Sequence, residues 1–585
     1  MSILGTDISG QGNHLVSANI LPTDRMNDRP SNNFATFNPQ LPHTQTLTEG
    51  NLKVSQTTDI PALSSIGVSS GKWYAEVKFV SGTHCRLGFA NESNVNLPFG
   101  AGTGSDNSWI KINGRIYYHG GTGITSQGQA ISAGDTIIMA VDVDAGKLWW
   151  GKDGTWDDNA SGTGVPASGT NPTYTGDTGI SAGGNIFFGV ASGSGTLVYV
   201  ANFGQDSSFA GAETAQNYTD INGMGDFYYE PPSGYLALCT KNLPESSVMP
   251  QEHFNTLLYT GSGSAAGHRG LGFRPNWIWG KKRGANAQNH WWITDVTDIN
   301  KQLISDNDGS EGSEANGTAF DVDGFDSAGN DLFYNNNSPY VVWCWKGNGT
   351  NTSPSNTNGS INTQATNANI PAGFSITAWE GTGATGTIGH GLSQAPQLII
   401  VKNRDDDDNW CVLVNLVGGP DATDFLRLDA TTAVVDDADR WNDTAPSATV
   451  FTVDTDNQVN GDGDNMVAWC FHSVEGYSKI GKFIGNGNAN GPFVYTGFRP
   501  AFVLLKPLDD SGWKIFDNKR EGFNGDGSND LLQPNSNAAE GDADRFDILS
   551  NGFKNKSSSG GQNENGITFI YMAFAEIPFK YTSAR

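Results

Sequence analysis

Basic residues are scarce in this chain: 34 Lys plus Arg face 61 Asp plus Glu, a formal net charge of −27 over 585 residues. Such a surface repels phosphate backbones and offers no electrostatic footprint for nucleic acid, so neither DNA nor RNA is expected as a partner. Five cysteines, Cys85, Cys239, Cys344, Cys411 and Cys470, stand far apart without a C-x-x-C pair. They are too few to staple a chain of this size and read as buried thiols made in a reducing cytoplasm. No apolar run approaches the roughly 18 residues of a membrane helix, and the opening MSILGTDISGQGNH lacks a basic start followed by an apolar stretch. Neither membrane insertion nor Sec-type export is expected, so action outside the producing cell would need release by lysis.

What the chain does have is length, glycine and β-forming side chains. At about 100–200 residues per domain, several domains are expected. Seventy-five glycines favour many turns, and Trp, Tyr, Phe, Val and Ile suit pleated, half-buried surfaces, so the expected class is all-β and multidomain. Between residues 48 and 205 short alternating segments lie between Gly/Asn/Asp turns. In KWYAEVKF, Trp73, Ala75, Val77 and Phe79 share one strand face, while Lys72, Tyr74, Glu76 and Lys78 share the other. Repetition at such spacing describes an antiparallel β-sandwich.

The stretch DTIIMAVDVDAGKLWWGKDGTW places two turns, Asp144-Ala145-Gly146 and Lys152-Asp153-Gly154, between strands, and Asp-Gly favours the positive φ angles of tight hairpins. With GKWYAEVKF before it and NIFFGVAS after it, this stretch resembles the SPRY family. The resemblance implies a bent β-sandwich used for binding, with ligand contacts from loops at one face and no catalytic residues.

Beyond it, PPSGYLALCTKNLPE breaks regular structure and reads as a connector. An internal repeat then follows: GLGFRPNWIWGKKR from Gly270, GLSQAPQLIIVKNR from Gly391 and GFRPAFVLLKPL from Gly497. Each is preceded by a Gly-rich hairpin (LLYTGSGSAAG, TAWEGTGATG, KFIGNGNANG) and closed by a similar strand (YVVWCWKG, MVAWCFHS, FIYMAFAE). The expected organisation is an N-terminal extended docking segment (1–47), SPRY-like sandwich (48–205), connector (206–250), first repeat (251–348), polar low-complexity linker (349–372), second repeat (373–473) and third repeat (474–585).

Taken with LGTDISGQGNHLVSANI and DRPSNNFATFNPQ, this arrangement resembles fibre-like virion proteins of marine bacteriophages, cyanophages among them, over nearly the whole chain. The resemblance implies a non-enzymatic virion structural protein, a tail fibre or tail-tip component that attaches to the host. Its implied partners are other virion proteins and a host cell-surface glycan or protein. It implies a homo-oligomer, a trimer as in other fibres, although the sequence has no heptads or collagen repeats. One alternative is a capsid decoration, head-fibre or fibre-connecting protein, and another is a depolymerase of envelope polysaccharide.

Chemical motifs are few. Gly67-Val68-Ser69-Ser70-Gly71 and Gly179-Ile180-Ser181-Ala182-Gly183 fit a serine-hydrolase elbow, but both precede strand patterns rather than helices. Gly476 to Lys482 nearly spells a phosphate loop, yet Phe483 stands where a hydroxyl is needed and no helix pattern follows. His290 beside Trp291 and Trp292 reads as strand, and no compact histidine ligand set exists. No cofactor is expected except a structural Ca²⁺, for which Asp454, Asp456, Asp462 and Asp464 are the candidate ligands; Asp405 to Asp408 form a second acidic run. Aromatic rings pack on the apolar face of sugars, which makes Trp109, Tyr117, Tyr118 and Trp156 the candidate ligand-binding residues.

Overall fold

The computed structural model describes residues 28–29, 31–42, 45–92, 98–99, 108–112, 115–118, 122–124, 128–159, 162–176, 184–284, 289–313, 317–327, 335, 337–520, 524, 531–541 and 545–581. Nearly all regular structure among them is strand, and the α-helices are single turns, Ala438–Trp441, Asn457–Asn460 and Gly560–Asn563. The chain divides into two compact units, Met1–Pro244 and Glu245–Arg585. It is an all-β, multidomain protein, as its composition implies.

The first unit is a two-sheet antiparallel sandwich. One sheet runs Thr46–Thr48, Lys53–Gln56, Leu197–Asn202, Lys72–Ser81, Thr136–Asp142, Lys147–Lys152, Thr155–Trp156; the other runs Ala62–Leu63, Ile186–Ser192, Cys85–Asn91, Ser108–Ile112, Arg115–Tyr118, Thr122–Ile124. Trp73, Ala75, Val77 and Phe79 are buried together, as the alternation requires. Phe89 meets Trp150 edge-on across the two sheets at 5.4 Å. The tyrosine hydroxyl of Tyr199 donates to Ala191 O (2.9 Å) on the opposite sheet. The Lys152-Asp153-Gly154 hairpin forms with Asp153 at φ 49° and Gly154 at φ 79°, pairing Gly151 with Trp156.

The opposite face of the first sheet is covered too. Residues 206–244, expected as a connector, fold back onto it: Phe227, Tyr235, Ala237 and Cys239 pack with Phe34, Tyr74, Ala140 and Trp149. Leu236–Ala237 pairs in parallel with Trp73 and Tyr74. A third layer therefore buries Tyr74 and Glu76, residues that alternation alone puts on the outer face.

In the second unit each sequence repeat forms one large and one small sheet. The large sheets centre on Pro339–Trp345 paired with Trp277–Lys282, Asn465–Phe471 paired with Leu398–Asn403, and Thr568–Pro578 paired with Phe498–Pro507. Register makes the repeats equivalent residue by residue: Trp279 faces Trp343, Ile400 faces Trp469, and Leu504 faces Met572. Period-two alternation splits each strand between two cores. Trp277, Trp279, Trp343 and Trp345 join Ile400, Trp469 and Phe471 and Phe502, Leu504 and Phe574 in one cluster shared by all three repeats. The intervening residues, such as Ile278 and Cys344, Ile399 and Cys470, and Val503 and Ala573, enter separate cores under the small sheets.

Three indole N–H groups close this arrangement into a ring. Trp410 of the second repeat donates to Ile304 O of the first (2.9 Å). Trp513 of the third donates to Arg427 O of the second (2.7 Å). Trp343 of the first donates to Asp517 Oδ2 of the third (3.1 Å). The polar stretch 349–372, expected as a linker, is built into the unit: Ala365–Asn369 pairs with Phe374–Ala378. Buried Asn367 donates to Asn348 Oδ1 (3.0 Å) and accepts from Asn348 N (2.6 Å). Here Asn, Ser and Thr side chains supply the hydrogen bonds that irregular backbone needs when buried.

The basic residue that ends each repeat motif has a structural cause. Lys281, Lys402 and Lys506 occupy equivalent positions and are all fully buried. Lys402 Nζ donates to Asn403 O (2.7 Å) and Asp406 O (3.0 Å), and Lys506 Nζ to Pro507 O, Asp509 O and Ser511 O (2.7–2.8 Å). Lys402 and Lys506 thus tie down the hairpin loops that follow their strands, whereas Lys281 Nζ donates to Asn537 O of the third repeat (3.0 Å). The Gly-rich loops are equally constrained: a Cβ at Gly381 would lie 2.1 Å from Gly461 O, and one at the equivalent Gly485 2.2 Å from Glu564 O. Lys506→Met strands three carbonyls and is expected to lower unfolding stability by about 1–3 kcal/mol in denaturant titration. Removing the exposed Lys519 charge should change it by less than about 0.5 kcal/mol.

Candidate functional site

The aromatic candidates divide. Trp109 is fully buried in strand Ser108–Ile112, opposite Phe89, with its ring 6.2 Å from Tyr174. It is a core residue and cannot present a face to ligand, because its strand is internal to the second sheet. Trp156 is half-buried at the end of its sheet and meets Tyr74 edge-on at 6.3 Å. Tyr117 and Tyr118 lie on strand Arg115–Tyr118, but their side chains are outside the described residues. The motif Gly179 to Gly183 is outside them as well. Gly67 to Gly71 is a turn whose Ser70 O accepts from Trp73 Nε1 (2.7 Å), and residues 478–484 of the phosphate-loop look-alike are strand.

Of the acidic candidates, Asp454, Asp456 and Asp464 have partners of their own, and Asn403 Nδ2 donates to both Asp464 and Asp408 (3.2 Å for the latter). Asp454 accepts from Thr385 Oγ1, Asp456 caps the turn Asn457–Asn460 and pairs with Arg440 (3.2 Å), and Asp464 accepts from Asn403 Nδ2 (2.9 Å). The Asp462 side chain lies against Gly383. In the second acidic run, Asp405 accepts from Asn465 N (2.7 Å) and Asp407 from Ser310 N (2.9 Å). Among the described residues no three His, Cys, Asp or Glu side chains converge as a metal-binding group. Side chains close in sequence here take part in capping and loop closure.

A site does form in the first repeat of the second unit, at one end of its large sheet. A cleft of about 440 Å³ is lined by Arg274, Asp295, Thr297, Asp298, Thr318 and Phe320, with Ile299, Ala319 and Asn351 completing it. Asn276 organises its floor. Its amide nitrogen reaches Asp295 Oδ1 (3.1 Å) and Thr350 O (2.6 Å), and its oxygen accepts from Gly347 N and Gly349 N, which fixes the segment bearing Asn351. Arg274 Nη1 pairs with Asp295 Oδ2 at 2.6 Å, and the guanidinium lies 5.7 Å from the Phe320 ring centroid. Burial raises the Asp295 carboxyl above the ordinary aspartate range, opposed by its bonds to Asn276 and Arg274. On the rim, Asp298 Oδ1 accepts from Asn300 N (3.0 Å), and Asn300 Oδ1 accepts from Gly317 N (3.2 Å), which positions Thr318.

Sequence reasoning missed this cleft, although Arg274-Pro275-Asn276 stands in the first repeat motif. The available signal is the departure of one repeat from the other two. By register, Asn276 corresponds to Gln397 and Ala501, and Asp295 to Asn415 and Asn518, so the Arg–Asp–Asn set is peculiar to the first repeat.

The fold is an all-β architecture, a sandwich unit followed by three repeats around a common tryptophan core. The family described as "Domain of unknown function (DUF7483)" matches residues 249–578, more than half of the chain, and the chain belongs to that family. No curated protein matches it. Solved structures with partial likeness include the SPRY domain of human HERC1 (14% identity, 30% of this chain, 95% of that one, TM-score 0.21). The TRIM65 PSpry domain shares 16% identity over 29% of this chain and 92% of that one, with a TM-score of 0.21. Stonustoxin shares 16% identity over 29% of this chain and 27% of its own, with a TM-score of 0.22. The two-sheet description of the first unit rests on its own strand pairings.

Among the described residues of the first unit, three charged side chains are fully buried. Lys111 and Asp157, both fully enclosed, pair between a strand of the second sheet and the hairpin region of the first, and burial lowers the lysine pKa against the pull of Asp157. Glu76 accepts from Tyr228 N (2.9 Å), Tyr229 N (2.8 Å), Tyr74 Oη (2.9 Å) and Asn202 Nδ2 (3.0 Å), which pins the third layer to the sheet. Desolvation outweighs these four donors and pushes its pKa up to about 7. A carboxyl raised in the folded state favours folding fully below its unfolded pKa near 4.5, and that contribution is lost as pH rises through about 7. Glu76→Gln should abolish this dependence. Between pH 4.5 and 7 the wild-type unfolding free energy is expected to fall relative to the variant by roughly 3 kcal/mol, measured by denaturant titration of the full chain.

Proposed function

We propose that this chain is a non-enzymatic structural protein of a bacteriophage particle, a tail fibre or tail-tip component that binds the host surface. The phage assignment is supported by the sequence resemblance over the LGTD, SPRY-like and Gly-x-x-Pro repeat segments. The binding role is supported by one structural observation above others: an open cleft in which an aromatic wall faces a set of ordered polar groups. Pockets of this size, with few convergent polar groups fixed by a rigid scaffold, are the usual form of a ligand site. The ligand is a host surface glycan or protein, and the remaining partners are other virion proteins. Several copies on one particle would raise a weak single-site affinity through avidity.

Immunogold labelling of intact particles from an infected-cell lysate, with antibody raised against residues 251–585, tests the placement. Gold at the tail tip or fibres is expected. Gold confined to the head would replace this reading with capsid decoration, and particles without gold would overturn the virion assignment.

A further inference from the structure

We infer that the cleft beside Phe320 binds a neutral saccharide. The inference rests on the host-binding reading above and names the ligand class of that site.

Four observations carry it. Thr318 lines the cleft and is only 3% exposed, and its buried hydroxyl has no hydrogen-bond partner among the described residues. A buried hydroxyl without a partner costs free energy, so the site is incomplete until a donor or acceptor enters. Phe320 is half-buried and lines the same cleft as an aromatic wall, with the Arg274 guanidinium 5.7 Å from its ring centroid. The remaining polar groups at the cleft, Thr297, Asp298 and Asn351, offer a hydroxyl, a carboxylate and an amide, a mixture of donors and acceptors within one concave surface.

Sugar rings match that mixture, with an apolar C–H face for the aromatic wall and a rim of hydroxyls that both donate and accept. Charge decides between neutral and acidic sugars. Among the described residues the one cation lining the cleft, Arg274, is already neutralised by Asp295 at 2.6 Å, and Asp298 adds a carboxylate with no ion-pair partner among them on the rim. An anionic ligand would face repulsion there, reinforced by the chain's net charge of −27. A neutral hexose meets no such penalty.

Saturation-transfer NMR on the full chain tests this with methyl glucoside, methyl galactoside and methyl mannoside as neutral probes, and glucuronate and N-acetylneuraminate as anionic ones. Transfer to at least one neutral glycoside is expected, with none or far less to the anions. Thr318→Val and Asp298→Asn, both small changes beside an intact Arg274–Asp295 pair, should each weaken that binding about tenfold or more, and Phe320→Ser should abolish it. Unchanged circular dichroism confirms that each variant is folded, and the Thr318 and Asp298 variants decide the matter if the Phe320 variant is not. Absence of transfer to every neutral probe, equal transfer to the anions, or binding unaffected by Thr318→Val and Asp298→Asn would overturn the inference. Gold at the tail tip without glycoside binding would defeat the ligand class alone. Glycoside binding lost in the variants, on particles that carry no gold, would leave the cleft standing and defeat the virion placement.

Discussion

Tryptophan contact between repeats is the constraint on which the second unit depends. Trp292 of the first repeat meets Trp410 at 4.7 Å and Trp469 at 4.8 Å, both from the second, and Phe254 stacks on Phe574 of the third at 5.2 Å. Each buried aromatic removes about 150–250 Å² from water, at roughly 25 cal/mol per Å². Because those surfaces face one another across repeat boundaries, a single repeat would leave its tryptophans in solvent. The three cross-repeat indole hydrogen bonds add direction to this non-directional attraction. They fix which repeat meets which, and in what register.

From that core follows the position of the cleft. Asn276 and Asp295 stand immediately beyond Trp277 and Thr294, paired neighbours at the end of the first large sheet. Trp277 is held on its inner face by Trp345 at 4.1 Å. The polar floor is thus anchored by residues that cannot move without opening the shared core, while the rim is set by short side-chain links through Asn300. Aromatic packing lies below this floor, and the Thr318 hydroxyl above it has no partner among the described residues.

Much of this architecture was legible in the sequence, and the rest was hidden for identifiable reasons. Period-two alternation marked the strands, the Asp-Gly pair marked a hairpin that formed as a two-residue turn, and the repeat motif marked three equivalent sheets. Alternation does not say what covers a face, so the third layer over Tyr74 and Glu76 could not be foreseen from KWYAEVKF. Composition misled at 349–372, where Asn, Ser and Thr signal a linker but here hydrogen-bond buried backbone. Trp109 illustrates the limit for aromatics, since strand position and not residue type decides whether a ring is core or surface. The cleft draws on residues between Arg274 and Asn351, separated by whole strands, so only tertiary pairing assembles it.

Native-state hydrogen exchange on Trp292→Ala is the most direct test of the shared core, because opening free energies report which segments unfold together. Faster exchange should appear in the closing strands of all three repeats, Pro339–Trp345, Asn465–Phe471 and Thr568–Pro578. Acceleration confined to Pro339–Trp345 would contradict the account and make the repeats independent domains.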